Sequence, residues 1–427
     1  MSSADSAEWL LRARWVVPMG RPPLEDGWVR VRRGRVVDLG AARDRPAPRT
    51  AVVFDSGDAV VMPGLVNAHT HLEFSDAVAP LAAAGGLADW IGRVIDLRRS
   101  RAAAPDAVHH RTAAIRSGLF ESAAHGVTAI GEISTGLPAG GYPAHGPRLR
   151  VFREALGLSV EAAEASVSNA FRDVDGLQAA GLAAGISPHA PYSVAARPGR
   201  RLVAESRRRS LPLAMHLAES DTEDELLQSG SGPFRDLFER LGVWPAARSP
   251  ALLPAAEWIS LLARGPRGIV VHGTHLGRNA DALARLVRHR DRLCVAVCPR
   301  TTRAISGTLP PVRLFREAGL RVAIGTDSRA SNPDLSVLAE CRALVDAGLA
   351  TPQESLQMAT RHGAWALGFE RVSGMLAPGR AADLAIVRPS ARHRTAWDAI
   401  LDPGSHLVAT LRRGRVIAGR LPGSASC

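Results

Sequence analysis

Apolar positions along the chain fall into two regimes. Near the start they come as short runs that read as strands, at residues 10–17, 28–32 and 35–39, the last two parted by an Arg33-Gly34 turn. A matching block closes the chain at 383–387, 407–411 and 416–417, with a turn at Gly414. Runs of this length bounded by glycine and proline predict strands. The interior alternates instead between helical spacing and compact apolar runs. Helices are predicted at 106–124, 160–172, 199–209, 234–241, 251–263, 281–288 and 312–318. Between them lie strands at 127–133, 149–156, 182–187, 211–217, 268–272, 293–298 and 321–326. Thr351-Pro352-Gln353-Glu354 is a capping box with proline at the first helical position, opening a late helix that runs to Leu367.

An apolar stretch from Val60 to Val66 supplies one more strand, so the interior carries eight. Repeated βα alternation argues a parallel sheet, and eight units argue a closed barrel. The expected fold is α/β: a distorted (β/α)8 TIM-type barrel over residues 63–370, with a small β-sandwich assembled from both ends, 1–62 and 371–427.

Bulk composition narrows this picture. A chain of 427 residues, 46% of them hydrophobic, can bury one large barrel and an appended sheet. No apolar run reaches membrane-spanning length and the start shows no leader pattern, so a cytoplasmic protein is expected. Cys294, Cys298, Cys341 and Cys427 form neither a disulfide framework nor a zinc-ribbon spacing. The formal charge of +12 points at first to nucleic acid, but the chain has no lysine and its 53 basic residues are all arginine, spread along the sequence. The densest runs, 98–99 and 207–209, are expected to be solvated helix faces, and aromatic residues at 4% are too few for a stacking platform. A small-molecule substrate is expected, with neither nucleic acid nor membrane as partner; a homodimer is left open. Without lysine there is no P-loop lysine, no Schiff base and no carbamylated lysine to bridge two metals.

Candidate chemistry collects at strand ends. The stretch VMPGLVNAHTHLEFS ends its strand in His69-Thr70-His71, and residues two apart on a strand face one side. His189 follows the fourth strand, His216 and Glu219 end the fifth, His272 the sixth and Asp327 the eighth. All fall at the C-terminal rim, where barrel active sites form. Three imidazoles and a carboxylate, His69, His71, His216 and Asp327, are the expected ligands of one divalent ion, Zn²⁺ or Fe²⁺, which lowers the pKa of a bound water towards about 7. Glu219, three residues past His216, is the expected general acid and base. His272 is expected to orient the attacking water, with Asp327 steadying it.

Taken in order, PGLVNAHTHLE, SPHAPYS, HLAES, VHGTHL, GTDSRASN and GMLAPGRAADLAIV resemble the amidohydrolase superfamily, in its mononuclear deaminase and chlorohydrolase branch. The resemblance spans nearly the whole chain and implies the same barrel, sandwich, ligand set and proton-handling residues. The seventh strand departs from the usual Cys-Pro-x-Ser-Asn: here it ends Cys298-Pro299-Arg300-Thr301-Thr302, which bears on the substrate and leaves Arg300 to reach it. HTHLEFS, the 88–91 segment, VFREALG and GTDSRASNPDLSVLAE resemble aminodeoxyfutalosine deaminases of the menaquinone route and adenosine-type deaminases. That likeness implies hydrolytic loss of ammonia from an amino-substituted purine, with Glu73 at the ribose, Trp90 over the pocket and His189 on the ring or a substituent. A benzoate-bearing substrate would need an arginine, for which Arg153, Arg148 and Arg300 are candidates. Alternatives on the same scaffold are hydrolysis of an s-triazine or chlorinated heterocycle, deamination of guanine or cytosine, opening of a cyclic amide, and a non-catalytic binding protein.

Overall fold

Sixteen strands make two sheets in the structure, a computed structural model that describes residues 8–44, 52–245 and 251–422. Cys427 and the first seven residues, on which the expectation of a leaderless start rests, lie outside these. Strands β1 (Glu8–Val16), β2 (Leu24–Arg32), β3 (Arg35–Ala41), β4 (Val52–Asp55) and β5 (Val60–Pro63) belong to the first sheet. The second contains β6 (Leu65–Thr70), β7 (Val127–Ser134), β8 (Arg148–Ala155), β9 (Ala183–Pro188), β10 (Leu213–Leu217), β11 (Gly268–His272), β12 (Leu293–Val297) and β13 (Val322–Ile324). The chain then returns to the first sheet with β14 (Leu384–Arg388), β15 (His406–Arg412) and β16 (Arg415–Gly419).

In the second sheet every strand pairs in parallel with the next in sequence, from β6 to β13. Both faces of these strands are buried, so their sequences read as continuous apolar runs. Alternate residues such as Ile269, Val271 and Phe152 fill the barrel interior, while Val270 and Val151 pack outward against the helices. β13 is only three residues long, and the ring closes beyond it through a parallel bridge between Thr70 and Asp327. Asn67 locks that seam. Its Nδ2 donates to the Thr326 hydroxyl at 2.7 Å, and its Oδ1 accepts the Thr326 N–H at 3.1 Å. Gly325 sits where a Cβ would come within 2.7 Å of the His69 carbonyl oxygen.

The first sheet runs in the order β16-β15-β14-β5-β1-β2-β3, with β4 also on β1. It is one curled sheet: an antiparallel bridge from Arg35 of β3 to Ala381, just ahead of β14, folds it around Leu11, Val29, Val61, Leu384 and Leu411. The sandwich expected from the two termini is this sheet folded on itself. Only Gly64 separates β5 from β6, so the terminal sheet holds the strand that carries the histidine pair.

The helices predicted between strands are present, and others were not foreseen, at Gly86–Ala102, Pro299–Ser306, Val337–Asp346 and Ala396–Leu401. The capping box at Thr351 forms, but the helix it opens does not run evenly to Leu367. It widens to a π-turn at Met358–His362 before Gly363–Ala366. No helix among the described residues is long and apolar enough to cross a membrane.

Candidate metal centre

His69 lies near the end of β6 and His71 one residue beyond it, and both are buried. His216 is in β10, with its Nδ1 3.0 Å from the carbonyl oxygen of His189. A ring nitrogen facing a carbonyl carries the proton, which leaves Nε2 with a free lone pair on the far side. That Nε2 stands 3.3 Å from Nε2 of His71. Asp327 follows β13. The Ser331 hydroxyl donates to its Oδ2 at 2.5 Å, and Oδ1 lies 3.4 Å from Nε2 of His69 and 3.7 Å from Nε2 of His71.

Tetrahedral coordination with bonds of about 2.1 Å sets ligand atoms about 3.4 Å apart. The observed separations of 3.3, 3.4 and 3.7 Å match that spacing. Neither ring nitrogen of His69 nor Nδ1 of His71 has a hydrogen bond among the described residues. Buried polar groups are ordinarily satisfied, so these nitrogens lack the partner their burial requires. Burial, then the neighbouring His69, holds both His71 and His216 well below the ordinary imidazole range. Neutral imidazole is the form that binds metal. Burial alone would raise the Asp327 carboxyl, but the imidazoles of His69, His71 and His272 beside it outweigh this and hold it well below the ordinary range. This donor set fits one divalent ion.

Glu219 stands between β10 and the helix Asp221–Ser229. Ser220 caps that helix, its hydroxyl accepting the Glu223 N–H at 3.2 Å. The fully buried Glu223 carboxylate reaches back to accept the N–H groups of Ala218 (2.9 Å) and Glu219 (3.1 Å). The acidic run at 219–225 is thus a brace for Glu219, not only a solvated face. Burial, then Asp327 and Glu223, raises the Glu219 carboxyl well above its usual range, as an acid working near neutral pH requires. Its Oε1 is 3.4 Å from Nε2 of His272, whose imidazole burial brings down to about 4.

A cavity of about 40 Å³ lies against His71, His216, Glu219, His272 and Asp327. His189 lines it too, its Nδ1 2.6 Å from the Ser193 hydroxyl. Trp90, Ile91, Val94 and Arg98 of the helix Gly86–Ala102 form the opposite wall, and the Trp90 indole donates to the Ala330 carbonyl at 3.3 Å. Ordinary ligand pockets begin near ~300 Å³.

Several expected substrate contacts stand elsewhere. Arg153 points outward from β8 to Asp173 (2.6 Å) and to the carbonyls of Ser134 and Glu154. Arg300 is engaged by Asn332, Asp334 and Glu340, and Arg148 by Asp383 at 3.6 Å. None of the three lines the cavity. Glu73 is caged by Arg98 (2.7 Å) and by the Thr135 hydroxyl (3.1 Å), which commits the carboxylate expected at a ribose. Arg98, expected on a solvated face, is in the wall instead. Sequence reading also passed over Glu154, buried inside the barrel with neither oxygen hydrogen-bonded among the described residues. Its carboxylate and the rings of His189 and His216 bring their ligand atoms within 4.8 Å of one another.

Known proteins resemble this chain in sequence and fold. The chain is 29% identical over 392 residues to a 5-methylthioadenosine/S-adenosylhomocysteine deaminase of Moorella thermoacetica, covering 88% of this chain and 85% of that one. The fold matches aminofutalosine deaminase of Helicobacter pylori in complex with methylthio-coformycin, with TM-score 0.80, 25% identity, and 95% and 99% of the two chains covered. It also matches an adenosine deaminase of Xanthomonas campestris with bound zinc, with TM-score 0.73, 25% identity, and 96% and 93% covered. These relatives support metal-dependent deamination of a purine-like ring. The sequence profile of the amidohydrolase family matches residues 60–419, through both the barrel and the returning terminal strands. With the ligand cluster at the barrel rim, that match makes the chain a hydrolase of carbon–nitrogen bonds and a member of the amidohydrolase family.

Proposed function

We propose that the chain deaminates an amino-substituted purine nucleoside, of adenosine or aminodeoxyfutalosine type, with Glu219 as acid and base. The observation that carries this is the pairing of a buried Glu219, its carboxyl raised above the ordinary range, with the four-ligand cluster against the same cavity. His69, His71, His216 and Asp327 would hold the ion, with zinc favoured by the three nitrogens and one oxygen. When bound, such an ion supplies a nucleophile at neutral pH by lowering the pKa of water to about 7. Glu219 takes a proton from that water and passes it to the ring nitrogen beside the amino-bearing carbon. His272, 3.4 Å from Glu219, orients the water through its neutral ring. Asp327, unprotonated, accepts the remaining water proton and returns it to the leaving amine. A carbon–oxygen bond forms, the carbon–nitrogen bond breaks, and ammonia departs. His189 holds the ring or its substituent, and Trp90 covers it. The similarity to deaminases of adenosine, methylthioadenosine and aminofutalosine supports this substrate class.

Ammonia release from adenosine, methylthioadenosine, guanine, cytosine and aminodeoxyfutalosine tests the reading, with metal content measured alongside. Purine nucleosides should be turned over and the pyrimidine should not. Glu219→Gln should keep its metal and lose about 10²–10⁴-fold in kcat. Retained turnover in that variant removes Glu219 from the acid role.

A further inference from the structure

The turn that follows Asp327 is pinned from several sides. Ser331 N–H donates to the Ser328 carbonyl at 3.1 Å, which folds residues 328–331 into one turn. The Ala330 carbonyl accepts the Leu81 N–H at 2.8 Å and the Trp90 indole N–H at 3.3 Å. Arg329 donates to the Ala77 carbonyl at 3.1 Å and to Glu121 at 3.1 Å. On the far side the Asn332 amide donates to the Thr326 carbonyl at 3.1 Å. Held this way, Ser331 is buried, and its hydroxyl comes back to the carboxylate four residues earlier.

The two carboxylate oxygens of Asp327 have separate partners. Oδ1 faces Nε2 of His69 and of His71, whereas Oδ2 is 2.5 Å from the Ser331 hydroxyl. Ser331 Oγ also has Thr301 Oγ1 at 3.1 Å, the Ser328 carbonyl oxygen at 3.2 Å and Ser328 Oγ at 3.4 Å. A hydroxyl has one proton, and the shortest contact, to the carboxylate, takes it. Thr301 is then the donor to Ser331. It stands at the serine position of the Cys-Pro-x-Ser-Asn pattern, so the departure at the seventh strand keeps a hydroxyl there. Thr301 and Ser331 are both buried, and this chain of donors runs from the end of β12 to the carboxylate that follows β13.

We propose that Ser331, backed by Thr301, is a positioning residue that keeps Asp327 a one-oxygen ligand and so leaves a position on the ion open for water. This rests on the metal reading of the cluster above and names what sets its coordination. A carboxylate can grip a cation through one oxygen or through both. Oδ2 of Asp327 has no other hydrogen-bond donor among the described residues, so without the Ser331 hydroxyl it is a buried oxygen lacking a partner. The second oxygen then turns to the ion and fills the position that a catalytic site keeps for water. Ser331 thereby protects turnover and not metal affinity, which separates it from a residue that only supports the loop.

The test loads wild type, Ser331→Ala and Ser331→Thr with zinc for kinetics and with cobalt(II) for absorption, and titrates the cobalt proteins with azide, an anion that needs an open position on the ion. Ser331→Ala should keep its metal by elemental analysis and lose about 10–100-fold in kcat with KM unchanged. Azide should shift the cobalt spectrum of wild type and bind Ser331→Ala about tenfold or more weakly. Ser331→Thr keeps the hydroxyl and should bind azide as wild type does. Thr301→Val should lower kcat about threefold in wild type and not at all in Ser331→Ala. Azide binding in Ser331→Ala equal to wild type, or loss of its metal, would overturn the proposal, as would a Ser331→Thr that binds azide as weakly as Ser331→Ala. Equal losses from Thr301→Val in both backgrounds would overturn the part given to Thr301. If Ser331→Ala does not fold, Ser331→Gly, which also lacks the hydroxyl, takes its place. Should no nucleoside be turned over, the deaminase reading fails and the azide titration still decides on Ser331. A wild type that takes up no metal defeats the ligand set and this proposal with it.

Discussion

At the rim of the barrel three residues other than glycine hold a left-handed backbone: Ala218 at φ 54°, His272 at 64° and Asp327 at 57°. Such conformations cost about 1–3 kcal/mol each and persist where surrounding bonds impose them. Here the bonds are visible. His71 N–H donates to the Asp327 carbonyl at 2.7 Å, and Asp327 N–H to the His69 carbonyl at 3.1 Å. Among the three, Asp327 is itself a ligand, held by the backbone of the histidine pair, so the ligands are tied to one another and removing one should empty the cluster. His216→Ala is expected to fold and to lose most of its metal, read by elemental analysis after gel filtration; full occupancy would remove His216 from the ligand set. Parity explains a misreading at this scale. Phe152 and Glu154 of β8 face the barrel interior and Arg153 faces out, so a shift of one residue separates the group near the histidines from the one bonded to Asp173.

Elements were legible wherever burial stamped a period on them. The barrel strands stood out because both faces are apolar. The helix Gly86–Ala102 carried the same kind of signal, with Leu87, Trp90 and Val94 spaced three and four apart on its buried side. Its arginines hid its role: in a chain without lysine, residue type does not separate a pocket arginine from a surface one. The capping box at Thr351 was fully readable, since it depends on residues within one turn. The Thr351 hydroxyl accepts the Glu354 N–H at 3.3 Å, and the Glu354 carboxylate accepts the Thr351 N–H at 2.8 Å. Thr351→Ala should lower stability by about 1 kcal/mol in chemical denaturation, with activity unchanged. The π-turn that follows, Met358–His362, was not readable from the residues within it; it leads into Gly363, which packs against Val66 of the first barrel strand.

For the whole molecule, the seam between β6 and β13 decides whether a site exists. Asp327 and the histidine pair are more than 250 residues apart in sequence, and they meet because a three-residue strand closes the ring. Asn67 carries that closure with both atoms of its amide, fully buried. Asn67→Ala should destabilise the fold by about 2–4 kcal/mol, since it orphans two buried groups of Thr326. It should also weaken metal retention by loosening Asp327 against His69. Denaturation and metal content measure the two effects; an unchanged metal content would show that the seam does not position the ligands.

The amino-acid sequence by itself determined the βα alternation, the gathering of polar residues at strand ends and the donor types, because these follow from local periodicity and the chemistry of single side chains. Tertiary structure alone decided which arginine stands beside the histidines, that Glu73 is committed to an ion pair, and that Glu223 braces Glu219. Those outcomes depend on which way a helix or strand turns a side chain once its neighbours are packed, and no spacing along the chain encodes that orientation.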